Sequence, residues 1–197
     1  MLASSSPRRR RLLRELGVGF SVLVPDVDEF PLPGELPGPH VRRLALAKAR
    51  AVARQLAPGC GVRWIIGADT VVVLDGRILG KPRDAGDAEG MLARLSGRTH
   101  EVLTGVALVP AAAGRARAAV VRSRVEMKPF DGATIRRYVA GGEPLDKAGA
   151  YAVQGRGRHL VARVSGSLTN VVGLPLERLR RLLTTAGVSV SPRGGSR

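Results

Sequence analysis

The sequence predicts an α/β protein with a mixed, twisted β-sheet and flanking helices. Three observations support this fold class. Segments with helical periodicity alternate with apolar, β-branched runs along the 197 residues. A two-residue Asp75-Gly76 turn between two apolar runs is typical of an antiparallel hairpin. Helical segments connecting other runs are typical of parallel strands, so both kinds of pairing are expected in one sheet.

The N-terminal third is expected to contain two helices. Ser6 followed by Pro7 and a basic, leucine-containing run is typical of an N-cap and a first helical residue, and Gly17 is the expected stop. The periodicity of residues 40–57 predicts a long amphipathic helix. Because residues 31–39 hold four prolines and two glycines, we expect a loop there and no helix.

The next segment predicts a buried hairpin. The runs VRWII and DTVVVL are apolar and β-branched, and the two-residue turn joins them to the run RIL. If Leu74 pairs with Arg77, then Thr70 lies opposite Lys81, and Asp69 reaches the same open end of the hairpin.

The remaining elements continue the alternation. Asp84 is the expected N-cap of a helix that ends at Gly97, and Asp131 is that of a short helix through Tyr138. Strands are expected at residues 101–110 and 118–129, joined near Gly114, and at 150–154 and 159–166, with a final helix at 176–187. We expect one domain over residues 1–188 and a disordered tail over 189–197.

The composition restricts the class of protein. The longest apolar runs are shorter than the roughly 18 residues that a membrane span needs, and the basic N-terminus lacks the apolar stretch of a secretory signal. Cys60 is the single cysteine, which fits a reducing, cytoplasmic compartment, and no adjacent base or thiol suggests that it reacts.

The net charge of +16 invites a polyanionic partner, either nucleic acid or a phosphorylated small molecule. Arginine outnumbers lysine 28 to 4, so compositional drift accounts for most of the excess. The aromatic fraction of 3% leaves few rings to stack on single-stranded bases. The four lysines are therefore of particular interest: Lys48, Lys81, Lys128 and Lys147.

The N-terminal segment is a candidate phosphate site. A helix start carries a partial positive charge and free N–H groups. Arginines 8–11 in the first turn are unfavourable there unless an anion binds, and the hydroxyls of residues 4–6 lie beside them. A solvated basic helix end capped by Ser6 explains the pattern equally well.

Asp69 is the candidate catalytic carboxylate. It stands inside an apolar strand, where a carboxylate is costly unless it is paired, bound to a metal or required by function. Lys81 is the candidate partner at the end of the hairpin. A structural ion pair at a sheet edge is the alternative.

Three further sets of polar residues carry weaker signals. The glycine-rich segment 141–157 offers Lys147 and Gln154 as contacts, and an amide suits the edge of a base. The acidic cluster of Asp26, Asp28 and Glu29 could hold Mg²⁺ or Mn²⁺, or could be a solvated turn. The three histidines lack zinc spacing and are expected to be structural or exposed: His40, His100 and His159.

Taken in order, these segments resemble the Maf family of nucleoside triphosphate pyrophosphatases over residues 2 to about 183. The matching pieces are LASSSPRRRRLL, the VDE before the proline-rich loop, LALAKARAV, IIGADTVVVLDGRILGKP, LSGRTHEVLTGVAL, GEPLDKAGAYAVQG and NVVGLPL. The chain departs from the family at its start, where only Met1 and Leu2 precede Ala3 and family members usually carry a longer first strand.

The resemblance implies a fold of two lobes around a deep cleft, a homodimer and a divalent cation such as Mg²⁺, Mn²⁺ or Co²⁺. It implies that Asp69 accepts a proton, that Glu29 and Asp69 hold the metal, and that a set of cationic and hydroxyl side chains binds phosphate: Ser4, Arg8, Arg9, Lys48 and Lys81. It links substrate choice to Arg8, Thr70 and Gln154.

The KAGAYAVQG segment resembles the subgroup that hydrolyses dTTP and UTP to the monophosphate and diphosphate. Two alternatives stay open. One is the same chemistry on 7-methyl-GTP or another modified nucleotide. The other is a basic protein without activity that binds nucleic acid or a partner to regulate division. No membrane or specific nucleic acid is expected as a partner of an enzyme of this kind.

Overall fold

A computed structural model describes residues 1–190. Of the tail predicted at 189–197, positions 191–197 lie outside the described residues. The strands of the described part are β1 (Leu2–Ala3), β2 (Val22–Leu23), β3 (Trp64–Leu74), β4 (Arg77–Leu79), β5 (Thr99–Pro110), β6 (Arg117–Met127) and β7 (Val161–Ser165). The helices are α1 (Pro7–Glu15), α2 (Pro37–Ala53), α3 (Ala85–Leu95), α4 (Gly132–Ala140), α5 (Leu168–Val172) and α6 (Leu176–Thr185). Within residues 1–190, no helix is both long and apolar enough to cross a bilayer.

The strands form one mixed sheet in the order β2-β1-β3-β5-β6-β7, with β4 paired to β3. β1 runs parallel to both β2 and β3, whereas β3–β4 and β6–β7 are antiparallel. β1 is short, but the Met1 ammonium donates to the Trp64 carbonyl (2.8 Å) and the Ile66 amide donates to the Met1 carbonyl (2.9 Å). The predicted mixed α/β sheet with flanking helices is confirmed.

Three predicted helix caps and the predicted hairpin register are also confirmed. Ser6 caps α1 and accepts from the Arg9 amide, and Asp84 and Asp131 cap α3 and α4 in the same way. The hairpin has the expected register, with Leu74 opposite Arg77. These features depend on residues close in sequence, so local chemistry suffices to predict them.

Two predictions of secondary structure are wrong. Helix α2 begins at Pro37, inside the segment 31–39 predicted to be a loop, and ends at Ala53 rather than at residue 57. Prolines 37 and 39 are tolerated because amides of the first helical turn have no intrahelical acceptor. Residues 150–154 are not a strand, since Gly149 and Ala150 both have positive φ (70° and 57°) and turn the chain.

The chain divides into two compact units, each discontinuous in sequence. The first comprises Met1–Asp69, Thr104–Val121 and the residues from Gly173 onward. In it, α2 packs on β3 and β5 with almost no space. A Cβ atom at Gly67 would lie 2.0 Å from the Ala45 carbonyl oxygen, and one at Gly105 would lie 2.1 Å from that of Val41. Glycine at these two positions therefore allows the helix to rest on the strand backbones.

The second unit comprises Thr70–Leu103 and Arg122–Val172. Helices α3 and α4 contact each other in this unit. It also holds the segment 141–157, whose Gly149 amide donates to the Gly80 carbonyl (2.9 Å). This bond joins the segment to the end of the β3–β4 hairpin.

Candidate active site

Lys48 lies between two carboxylates in the first unit. Its Nζ is 2.7 Å from Asp69 Oδ1 and 2.7 Å from Glu29 Oε1. Lys48 and Asp69 are each only 6% exposed. Glu29 is half-exposed, with 53% of its side-chain surface accessible. One ammonium thus faces two carboxylates, so this cluster of three groups keeps a net negative charge beside solvent.

The backbone explains why Lys48 meets Asp69. Gly67 faces α2 at Ala45, and Asp69 is two residues further along the strand, so its side chain leaves the same face of β3. Lys48 is three residues beyond Ala45 and therefore lies about one turn along the helix surface. The close contact at Gly67 brings these two side chains together.

The N-terminal motif is organised around Arg9. Its Nε donates to the Gly173 carbonyl (2.8 Å), and its Nη1 lies 3.4 Å from Ser4 Oγ. Ser4 is buried and also accepts from the Ser6 amide (3.2 Å). Arg9 is thereby fixed at the start of α1 instead of extending freely into solvent.

Electrostatics connect this motif to the carboxylates. Burial lowers the pKa of the Arg9 guanidinium, and Asp69 and Glu29 oppose that shift while Arg8 adds to it. Arg9 is therefore within electrostatic reach of both acids. The first unit brings together five of the predicted residues, Ser4, Arg9, Glu29, Lys48 and Asp69, and Arg8 lies half-buried beside Arg9.

Three other predicted residues belong to the second unit. Thr70 is half-buried in β3, and Lys81 is exposed just past β4. The described β3–β4 ladder stops at the pair of Val72 and Leu79, so Thr70 and Lys81 do not form the predicted cross-strand pair. Strand β4 ends at Leu79, and residues 80–82 have no regular secondary structure.

Gln154 is exposed on a segment with several anchors. The Glu143 carboxylate accepts from the amides of Arg156 (3.2 Å) and Gly157 (2.8 Å). Tyr138 Oη accepts from the Ala152 amide (3.1 Å). Lys147, the other predicted contact here, donates to the Glu143 carbonyl and to Asp146. Gln154 is thus flanked by backbone groups held on both sides.

A buried pair in the same unit, His100 and Tyr151, has no counterpart in the sequence-based predictions. His100 Nε2 and Tyr151 Oη are 2.8 Å apart, and their rings meet edge to face. Burial lowers the pKa of His100 to about 4. The expectation of structural or exposed histidines holds, since His40 and His100 are buried and His159 is exposed.

The acidic cluster behaves only in part as predicted. Asp26 is exposed, and Asp28 Oδ1 accepts from the Phe30 amide (2.9 Å). No group of three or more metal-binding side chains occurs among residues 1–190. Mg²⁺ is usually bound by one or two carboxylates together with substrate phosphates. Glu29 and Asp69, whose oxygens touch the same ammonium, fit that pattern.

Comparison with known proteins identifies the family. The sequence profile of the family described as Maf-like protein matches residues 1–186. The chain belongs to this family. Maf-like proteins of similar sequence include one from Symbiobacterium thermophilum, 50% identical over 194 residues that cover 98% of this chain and 97% of the relative.

Two further Maf-like relatives come from other bacteria. One from Geobacter sp. strain M21 is 53% identical over 176 residues, 89% of each chain. One from Myxococcus xanthus is 52% identical over 189 residues, 95% of this chain and 92% of the relative. All three relatives are named dTTP/UTP pyrophosphatase. The resemblance to the Maf family is confirmed.

Proposed function

We propose that this chain is a nucleoside triphosphate pyrophosphatase that hydrolyses dTTP and UTP to the monophosphate and diphosphate. The observation that carries the proposal is the buried Asp69 carboxylate, bound to Lys48 beside Glu29 and within electrostatic reach of Arg9. The names of relatives about half identical over nearly the whole chain support it. The match over residues 1–186 supports the proposal that residues 1–188 form one Maf-like domain.

The start of α1 is the proposed phosphate-binding site. Amides of the first turn point toward the N-terminus, where an anion is stabilised by the helix dipole. Arg9 is fixed by Gly173 and Ser4, so little side-chain entropy is lost when it binds a phosphate. Arg8 adds a second guanidinium in the same turn.

Asp69 is the proposed proton acceptor. Lys48 binds its Oδ1, so Oδ2 is the oxygen proposed to accept a proton from the attacking water. That water would attack the α-phosphorus, and diphosphate would leave with its charge stabilised by the surrounding cations. The fixed Lys48–Asp69 pair means that the carboxylate does not need to reorganise when substrate arrives.

A divalent cation is proposed to be held by Glu29 and Asp69. When bound, it would neutralise phosphate charge and act as a Lewis acid. Lys48 lies between these two carboxylates and holds them close to each other. Three further proposals rest on the resemblance: Lys81 binds phosphate, Thr70 and Gln154 determine substrate choice, and the chain forms a homodimer. A cytoplasmic location is proposed from the single cysteine.

The test is product analysis in labelled water. Purified protein would be incubated with dTTP, UTP, dCTP and 7-methyl-GTP in H₂¹⁸O with Mg²⁺, Mn²⁺ or Co²⁺, and products followed by ³¹P NMR. We expect diphosphate release from dTTP and UTP, with ¹⁸O in the monophosphate. Orthophosphate release, ¹⁸O in the diphosphate, or preferred hydrolysis of 7-methyl-GTP would each contradict the proposal.

A further inference from the structure

The carboxylate of Glu35 is the centre of a hydrogen-bonded cluster that sequence reasoning missed. Arg43 donates to it from Nε (2.7 Å) and Nη2 (2.6 Å), and His40 Nδ1 lies 3.0 Å away. Only 9% of the Glu35 side-chain surface is accessible. The bonds from Arg43 are the main reason why the pKa of Glu35 falls to about 2, so it is ionised at neutral pH.

This cluster fixes the backbone of the proline-rich loop. Glu35 accepts from the Leu32 amide (3.1 Å), and Arg43 Nη2 donates to the Phe30 carbonyl (3.1 Å). The Phe30 amide is bound in turn by Asp28 (2.9 Å). Both backbone polar groups of Phe30 are thus occupied, directly after Glu29.

Glu29 depends on such support because its own segment has no regular secondary structure. Residues 24–32 lie outside helix and strand, and the Glu29 side chain is half-exposed. A side chain on such a loop loses considerable conformational entropy when it is placed. Arg43 and Lys48 lie on the same helix, α2, so one rigid element holds the loop backbone at Phe30 and receives the Glu29 carboxylate.

We propose that the Glu35–Arg43 ion pair is a positioning device that holds Glu29 ready for a divalent cation. The pair acts through the backbone of Phe30 and does not contact the cation. This inference rests on the proposed function in one respect, which is that Glu29 contacts the cation. Residues that orient metal ligands typically contribute about 10- to 100-fold to metal affinity.

The experiment measures Mn²⁺ binding by the loss of the free-ion EPR signal, which requires no turnover. Arg43→Lys and Glu35→Gln are each expected to raise the Mn²⁺ Kd about tenfold or more. In a Glu29→Gln background, Arg43→Lys should change the Kd less than about twofold, because its route to the cation has been removed. Arg98→Lys is the matched control, because Arg98 Nη2 donates to both carboxylate oxygens of Asp75 in the second unit and this substitution should leave the Kd unchanged.

Three results would overturn the inference. They are an unchanged Kd in both single variants, an equal loss in the wild-type and Glu29→Gln backgrounds, and no Mn²⁺ binding to the wild-type chain at millimolar concentration. Circular dichroism and thermal unfolding identify a variant that fails to fold. In that case the other single variant is used, alone and combined with Glu29→Gln, to test the inference. The chain could fail to hydrolyse dTTP and UTP while Arg43→Lys still raises the Mn²⁺ Kd only when Glu29 is present. That result would overturn the proposed function and leave this inference standing.

Discussion

Gly67 and Ala45 approach so closely that a methyl group at residue 67 would lie 2.0 Å from the Ala45 carbonyl oxygen. This contact sets the height of α2 above β3 and therefore the distance from Lys48 to Asp69. A polar pair that is central to the proposed site thus depends on a glycine that carries no chemistry of its own.

Gly67→Ala should therefore impair both stability and activity. The clash is with backbone, so α2 must shift, and overpacking of this kind costs about 1–3 kcal/mol. We expect lower unfolding free energy by urea titration and lower kcat at saturating dTTP. Gly90→Ala in α3 is the control, because a Cβ there meets nothing within 4 Å. Wild-type stability in Gly67→Ala would contradict this account of the packing.

Lys48→Met should be strongly destabilising. Removing one partner of a buried ion pair leaves an uncompensated charge and costs about 3–5 kcal/mol. Asp69→Asn should cost less, because Glu29 still neutralises Lys48 and the amide oxygen can still accept. Urea unfolding of Lys48→Met and of Asp69→Asn measures the difference. If the two single variants lost equal free energy of unfolding, the account of Lys48 as an ammonium shared by two carboxylates would be contradicted.

His100 should make stability depend on pH. In the folded chain burial lowers its pKa from 6.5 to about 4, so between these values the unfolded chain binds one more proton. The free energy of unfolding should therefore fall as pH drops from 6.5 to 4, by at most about 1.4 kcal/mol per pH unit. His100→Gln should remove this part of the slope. Parallel curves for wild type and variant would show that His100 does not titrate in this way.

Gln154→Ala should change base preference more than rate. Loss of a neutral hydrogen bond costs about 0.5–1.5 kcal/mol, so we expect the kcat/KM ratio of dTTP over dCTP to fall about 2- to 10-fold. Gln55→Ala is the chemically matched control, since the Gln55 amide donates to the Ala51 carbonyl at the end of α2 (3.3 Å). An equal loss on every nucleotide would count against a role in base recognition.

The sequence predicted what local chemistry determines. The Ser6 cap and the register at Leu74 and Arg77 both depend on residues near each other in the chain. The sequence did not reveal Lys48 as the partner of Asp69, because that pair depends on how α2 packs on β3. The hairpin register predicts Lys81 instead, because only pairings close in sequence can be counted from the turn.

Residues 31–39 show why a proline-rich segment is ambiguous. Four prolines predict a loop, but proline is accepted in the first turn of a helix, where Pro37 and Pro39 lie. The bonds of Glu35 to His40 and Arg43 depend on a helix that starts at Pro37, so a loop prediction for this segment provides no signal for them.

The most direct test of the account is the turnover of Asp69→Asn with dTTP and Mn²⁺, compared with wild type at saturating substrate. A general base contributes about 10²–10⁴-fold, so kcat should fall by about two to four orders of magnitude while circular dichroism stays that of the folded chain. Near wild-type kcat in the folded variant would contradict the assignment of Asp69 as the proton acceptor.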